Sequence, residues 1–107
     1  MTLYEAWSRD TSGDSENWDE HNPSLGQCAV SALIIQDLLG GDLVRSEVNG
    51  CSHYWNKLPN GQQIDVTLQQ FGEVWARGEI KIRDREYVLS FPETAKRYER
   101  LRRKLRT

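Results

Sequence analysis

The densest run of apolar residues lies between positions 28 and 39, where only three of twelve side chains are polar. A helix that is apolar nearly all round is typical of the centre of a domain. Asn22-Pro23-Ser24 is a helix-start signal, because asparagine and serine cap free N–H groups and proline suits the first turn. Gly40-Gly41 favours a stop. The pattern therefore predicts a buried central helix that starts near residues 22–24 and runs to about Leu39.

Shorter segments rich in β-forming residues follow the helix. We predict three strands, Asp42–Val48, Cys51–Leu58 and Gln62–Leu68, with a turn at Asn49-Gly50 between the first two. The next connection, Pro59-Asn60-Gly61, fits a type I turn closed by a glycine bulge. Such a three-residue loop pairs Leu58 with Gln62, which fixes the register of the second hairpin.

The two ends of the chain are predicted to be mainly helical. Leu3 and Trp7 lie four residues apart and indicate a short helix over about 2–9, and residues 10–24 form an acidic loop that contains Trp18. Further on we expect a short helix within 69–80 (Phe71, Val74 and Trp75), a strand or turn at Glu86–Ser90, and a helix from about Pro92 that buries Tyr98, Leu101 and Leu105. The predicted fold class is α+β: a central buried helix packed on a small antiparallel sheet.

Length and composition support one globular domain over residues 1–107, with 37% hydrophobic and 28% charged residues. The opening MTLYEAWSRD lacks the basic and apolar regions of a signal peptide, and no apolar stretch is long enough for a membrane span. We therefore expect a cytoplasmic protein with no membrane partner. In that compartment Cys28 and Cys51 are free thiols.

Charge is unevenly distributed along a chain of net charge −2. Residues 1–30 contain six acids and one base, whereas residues 91–107 contain seven bases and two acids. Such asymmetry is found in nucleic-acid-binding proteins, but the whole chain is acidic, so we favour mutual attraction or solvation of the two ends. Nucleic acid is the less favoured partner, and the oligomeric state is left open.

Three side chains suggest chemistry. Cys28 lies in the first turn of the predicted helix, where free N–H groups and the helix dipole favour a thiolate. His53 lies within the second strand, and Asp65 lies between Ile64 and Val66 in a strand that otherwise looks buried. If Leu58 pairs with Gln62, His53 and Asp65 point to one face as diagonal neighbours within side-chain reach. The turn alone therefore predicts a His–Asp pair.

A cysteine on a helix, a histidine on a strand and an aspartate on the next strand supply nucleophile, base and orienting carboxylate. This order resembles that of papain-like and transglutaminase-like thiol enzymes, which implies a papain-like core. Gln27 adjoins the cysteine, and its amide or the backbone N–H of Cys28 is a candidate oxyanion donor. Core packing of Cys28 and a first-turn polar role for Gln27 are the structural alternatives.

The chain also resembles a bacterial YunG-like family. The resemblance rests on GQCAVSALIIQDLLGG at 26–41 and SHYWNKLPNGQQIDVT at 52–67, with EAWSRDTS at 5–12 and TAKRYERL at 94–101. It implies a fold and places Cys28, His53 and Asp65 at three suggestive positions, but it implies no substrate.

The expected function is a thiol-dependent hydrolase or acyl transferase that acts on an amide, ester or thioester. Trp55, on the face of His53, and Trp18, in the acidic loop, are the candidate substrate-binding residues. The main alternative is a non-catalytic module that binds a protein or small ligand through the acidic loop and a tryptophan-lined cleft. A metal site built from Cys28, Cys51, His53 and His21 has poor ligand spacing, so we expect no metal and no cofactor.

Overall fold

The computed structural model describes residues 2–68 and 78–106, and these residues form helices around a small sheet. A 3₁₀ turn at Arg9–Thr11 follows the first helix. In chain order the elements are α1 (Leu3–Ala6), α2 (Cys28–Leu39), β1 (Asp42–Val48), β2 (Cys51–Lys57), β3 (Gln63–Ile64), β4 (Lys81–Arg83), α3 (Arg85–Leu89) and α4 (Pro92–Arg106). The mixed helix and sheet composition agrees with the predicted class.

Helix α2 begins later than the sequence pattern predicts. Its N-cap is Gln27 rather than a residue of 22–24, and the preceding residues form turns. Gly26 has φ +72°, and a Cβ built on it would lie 2.3 Å from Ser12 Oγ. This turn therefore requires glycine and interrupts the helix, so the predicted capping by Asn22 or Ser24 is wrong. Cys28 becomes the first residue of α2.

Burial along α2 follows the prediction only in its first half. Val30 and residues 31–35 are buried, and the helix packs on β2 from one side and on α4 from another. Leu38 and Leu39, however, are 76% and 53% exposed, so the last turn projects beyond the sheet. The predicted stop is confirmed, since Gly40 and Gly41 both have positive φ.

All four strands are antiparallel and lie in the order β3-β2-β1-β4. Strand β1 has the predicted bounds, and Asn49 and Gly50 form the predicted turn with φ of 51° and 82°. Strand β4 was not predicted, because a segment of three residues gives too short a pattern to recognise. It pairs with β1 through Val44 and Ile82.

The register of the second hairpin agrees with the prediction. The Leu58 N–H donates to the Gln62 carbonyl at 2.8 Å, Gly61 has φ +87°, and Asn56 pairs with Ile64. Strand β3 is shorter than predicted, because it ends at Ile64 rather than Leu68.

The C-terminal region closes the core. Glu86–Ser90 was predicted as strand or turn, but α3 occupies Arg85–Leu89. Helix α4 buries Tyr98 and Leu101 as predicted, and Leu105 packs against the same cluster. The helix predicted within 69–80, with Phe71, Val74 and Trp75, falls mainly on residues outside the described ranges.

The acidic and basic ends of the chain meet. Lys104 Nζ lies 2.8 Å from Asp10 Oδ1, and Arg100 donates to the Asp10 carbonyl at 3.1 Å. Trp7 joins the core as predicted and donates to Ser31 Oγ at 2.8 Å. The helices in the described ranges are all too short or too polar to cross a bilayer.

Candidate functional site

The β2–β3 hairpin brings His53 and Asp65 together. His53 Nε2 lies 2.6 Å from Asp65 Oδ2, and the imidazole is fully buried. Because Lys57 pairs with Gln63 and Asn56 with Ile64, continuing the register places Asp65 opposite Trp55, two residues from His53. The predicted contact is therefore present, and its cause is the loop length that the turn sequence indicates.

The second carboxylate oxygen of Asp65 is also hydrogen-bonded. The Thr67 N–H donates to Asp65 Oδ1 at 3.2 Å, and Thr67 Oγ1 lies 3.5 Å from the same atom. Thr67 is buried, so these contacts fix the carboxylate plane against the imidazole. Sequence reasoning missed Thr67, although Asp-x-Thr is a recognisable turn in which an aspartate accepts from the backbone two residues on.

The imidazole of His53 also interacts with Cys28. Burial of the ring acts to lower the pKa of His53. The interactions with Asp65 and Cys28 act in the opposite direction and are stronger together, so the pKa is raised from 6.5 to about 9. The imidazole is therefore protonated at neutral pH.

Cys28 stands at the N-terminus of α2, half-buried, with Sγ 3.8 Å from the Ser52 carbonyl of β2. As the first helical residue it has a backbone N–H without an intrahelical partner. The positive end of the helix dipole points at this position. The thiol therefore lies at the start of a helix and interacts with the imidazole of His53.

Gln27 is buried and serves to anchor the start of α2. Its Nε2 donates to the Ser8 carbonyl at 3.0 Å, and its Oε1 accepts from Thr11 Oγ1 at 2.8 Å. These contacts join the helix to the N-terminal segment. Of the two candidate oxyanion donors beside the thiol, the backbone N–H of Cys28 is therefore the better placed.

The two candidate substrate-binding tryptophans have different surroundings. Trp55 stacks on His53 with ring centroids 5.6 Å apart, donates to Gln63 Oε1 at 2.7 Å and is only 3% exposed. Trp18 lies in the acidic loop, where it donates to the Pro23 carbonyl at 3.0 Å. The structure thus places Trp55 behind His53 and does not bring the two indoles together.

Cys28 opens into a cleft of about 810 Å³. Helix α2, the β1–β2 hairpin, α3 and α4 all contribute to it. Its lining includes three arginines, three large aromatic residues and the second cysteine: Arg45, Arg83, Arg97, Tyr54, Tyr87, Phe91 and Cys51. Neither Trp18 nor Trp55 is part of this lining.

Arg97 is a cleft residue that the sequence analysis did not identify. Burial lowers the pKa of its guanidinium, an effect opposed by the charges of Glu93 and Cys28. The side chain is half-buried because Arg97 lies four residues before Leu101, on the inward stripe of the helix. That helical spacing was the signal available in the sequence.

The four residues of the metal alternative are not assembled as ligands. In residues 2–68 and 78–106, no group of three or more histidine, cysteine, aspartate or glutamate side chains could hold a metal ion. His21 is exposed in the acidic loop, and its backbone N–H binds Asp19 Oδ1 at 2.7 Å.

Comparison with known proteins shows the family. The family described as YunG protein matches residues 1–107. The chain belongs to the YunG family. A relative from Bacillus subtilis (strain 168), described as "Uncharacterized protein YunG", is 42% identical over 69 residues, which are 64% of this chain and 56% of that protein. The aligned region thus spans little more than half of the relative.

The printed description of this YunG relative carries no activity. No solved structure matches the chain. The case for a function therefore rests on the geometry around Cys28.

Proposed function

We propose that the chain is a thiol-dependent hydrolase or acyl transferase that acts on an amide, ester or thioester. Cys28 is the nucleophile, His53 the general acid and base, and Asp65 the residue that orients the imidazole. The observation that carries the proposal is the buried His53 ring, which contacts Asp65 at 2.6 Å and interacts electrostatically with Cys28, a thiol that opens into a cleft.

In the proposed reaction, Cys28 Sγ attacks the carbonyl carbon, and a C–S bond forms as the carbonyl π electrons move to oxygen. The backbone N–H of Cys28 is placed to donate to that oxyanion. His53 gives its proton to the leaving group as the bond to carbon breaks. Water or another nucleophile then attacks the thioester, His53 takes up its proton, and Cys28 is released as thiolate.

The arrangement of elements supports this proposal. Cys28 begins a helix, His53 lies on an antiparallel strand that the helix packs against, and Asp65 follows directly after the next strand. A papain-like core has the same order of nucleophile, base and carboxylate.

The test compares the reactivity of the two cysteines. Iodoacetamide labelling is followed by mass spectrometry between about pH 6 and pH 8, the range over which an ordinary thiol is mostly protonated. Cys51 is the more exposed cysteine, so accessibility alone would make it react faster. We expect Cys28 to react at least about tenfold faster because a neighbouring imidazolium favours the thiolate.

Variants then separate an enzyme from a binding module. His53→Ala should remove most of the advantage of Cys28, Asp65→Asn should remove less, and His21→Ala is the matched control in an exposed loop. The same panel is incubated with p-nitrophenyl acetate to detect an acetylated Cys28. If Cys28 reacts no faster than Cys51 and is not acetylated, the enzyme proposal is wrong and the binding module is favoured.

A further inference from the structure

The cleft in front of Cys28 is cationic, although the chain as a whole has a net charge of −2. Its lining includes Arg45 from β1, Arg83 from β4 and Arg97 from α4, against a single acid, Asp14. Three separate elements thus each place a guanidinium around one opening. The three arginines and Asp14 sum to a charge of +2, in a chain whose net charge is −2.

These arginines have no carboxylate partner within 4.0 Å in the part of the chain that the structure describes. Arg45 Nε donates to Ser52 Oγ at 3.0 Å, Arg97 Nη2 donates to Thr94 Oγ1 at 3.2 Å, and the Arg83 guanidinium lies 5.2 Å from the Tyr87 ring centroid. Hydroxyl and aromatic groups position a guanidinium without neutralising it.

Arginine and lysine side chains elsewhere in α3 and α4 are paired differently. Arg85 binds Asp37 at 2.6 Å, Arg102 binds Glu99 at 3.3 Å and Lys104 binds Asp10 at 2.8 Å. Several cations outside the cleft thus have carboxylate partners, whereas the three cleft arginines have none within 4.0 Å among the described residues. An external anion is the group that would complete the charge balance there.

Arg97 lines the same cleft as the thiol. It is half-buried beside Gly13, where an added Cβ would lie 3.4 Å from Nη2, and its Nε is enclosed without a hydrogen-bond partner. Its charge and that of Cys28 influence one another. A partly desolvated cation with no carboxylate within 4.0 Å among the described residues favours binding of an anion, and here the anion would lie in the cleft that Cys28 opens into.

The outer part of the cleft is aromatic. Tyr87 is 47% exposed and Phe91 50% exposed, and their rings meet edge to face with centroids 5.5 Å apart. Both residues line the same cleft as Cys28. The wall can therefore cover an apolar part of a ligand whose charged end lies deeper, at the arginines.

We propose that the cleft selects a substrate with an anionic group, carboxylate or phosphate, close to the carbonyl that Cys28 attacks, with Arg97 as the specificity-determining contact. Arg45 and Arg83 add to the positive field, and Tyr87 and Phe91 contact the apolar remainder. This inference rests on the thiol-enzyme proposal and adds the class of substrate to it.

Iodoacetate and iodoacetamide form a matched pair of probes, since they differ only in a carboxylate or an amide beside the reacting carbon. In both reactions the Cys28 thiolate forms a C–S bond and iodide leaves. The quantity measured is the ratio of the iodoacetate rate to the iodoacetamide rate at Cys28, at constant ionic strength. N-acetylcysteine gives the ratio for a thiol without a cleft.

We expect the ratio at Cys28 to exceed that of N-acetylcysteine by roughly tenfold, because a nearby guanidinium attracts the carboxylate through a medium of intermediate dielectric constant. Arg97→Gln should lower the ratio several-fold while Cys28 still reacts with iodoacetamide, and Arg97→Lys should keep most of it. Arg45→Gln, on a different element, should lower it less. Arg103→Gln, an equal charge change on the exposed side of α4, is the matched control.

The outcomes separate the two proposals. If both reagents label Cys28 fast but the ratio of their rates equals that of N-acetylcysteine, the thiol-enzyme proposal stands and the anionic-substrate inference is wrong. If Arg97→Gln lowers the iodoacetate and iodoacetamide rates equally, Arg97 only stabilises the thiolate. If Arg103→Gln lowers the rate ratio as much as Arg97→Gln does, the effect comes from the overall charge of the protein. Either result overturns the inference. If Cys28 reacts with neither reagent, both proposals are wrong.

Unreactive anions then identify the charged group. Acetate and inorganic phosphate are each added during iodoacetate labelling at constant ionic strength. Slowing by acetate supports a carboxylate substrate, and stronger slowing by phosphate supports a phosphate-bearing one. If neither anion slows the reaction, the cleft has no anion site and the inference is wrong.

Discussion

The two ends of helix α2 differ in whether the charged side chains around them form ion pairs. At its C-terminal end, Arg85 binds Asp37 at 2.6 Å and donates to the Tyr98 hydroxyl at 2.8 Å, and that hydroxyl in turn donates to Asp37. Arg85 also reaches Gln36 Oε1 at 3.1 Å. At the N-terminal end, Cys28 opens into a cleft whose arginines lack carboxylate partners in the described residues.

This difference supports the proposal that the N-terminal end of α2 is the functional one. The cluster of Asp37, Arg85 and Tyr98 satisfies its own donors and acceptors, and it ties α2 to α3 and α4. A second cleft of about 810 Å³ is lined in part by these three residues, but their polar groups are already paired with one another. The N-terminal end instead combines a thiol, an imidazolium held by a carboxylate and unneutralised guanidiniums. Charged side chains that have no partner of opposite charge among the described residues are the better candidates for binding a ligand.

The largest expected effect is a loss of stability with rising pH that depends on His53. Its pKa is raised from the ordinary 6.5 to about 9, so the folded state binds the proton more tightly than the unfolded state. This contribution is fully present below about pH 6.5 and is lost as pH rises through about 9. Wild-type protein should lose unfolding free energy across that window, by at most the roughly 3 kcal/mol to which this pKa difference corresponds.

Urea denaturation at several pH values checks this expectation. The His53→Gln variant should not show this loss of unfolding free energy with rising pH, whereas the His21→Gln variant should show it as wild type does. If wild type and His53→Gln lose stability in parallel between about pH 6.5 and pH 9, the protonated histidine does not stabilise the fold and the contrast between the two ends of α2 is weakened.

A smaller effect is expected at the turn that sets the His53–Asp65 register. Gly61 has φ +87°, and a Cβ there meets no heavy atom within 4 Å, so substitution introduces backbone strain without a clash. Gly61→Val should lower the unfolding free energy by about 1–2 kcal/mol and slow the labelling of Cys28.

Gly61→Asn is the matched control, because asparagine tolerates positive φ better than valine does. The measurements are urea denaturation and the iodoacetamide rate of Cys28. A valine variant with wild-type stability and a wild-type labelling rate would show that the turn does not determine the site.

The smallest effect is expected at the C-terminal end of α2. Arg85 and Asp37 are each about one-third exposed, at 33% and 34%, so the pair contributes less than about 1 kcal/mol. Arg85→Met should lower stability by that amount and leave the labelling of Cys28 unchanged. Arg97→Met should do the reverse: it should change stability by less than about 0.5 kcal/mol and reduce iodoacetate labelling. Equal effects of both variants on labelling would contradict the division into a structural end and a site.

Local sequence determined the parts of the site that depend on short-range geometry. Pro59-Asn60-Gly61 selects a three-residue loop, and because side chains alternate along strands, that loop places His53 and Asp65 on one face. The same kind of local signal gave β1 its bounds and stopped α2 at Gly40. These features could be predicted because the residues that decide them are neighbours in the chain.

Tertiary structure decided what depends on distant segments. Helix α2 starts at Cys28 rather than near residue 23, because Gly26 turns tightly against Ser12, while Gln27 is held by Ser8 and Thr11. Arg97 enters the cleft only because α4 packs its inward stripe toward α2. No local pattern specifies which charges meet across such distances. Packing of the apolar faces fixes those distances, and the fold thereby sets the position of the thiol and the charges around it.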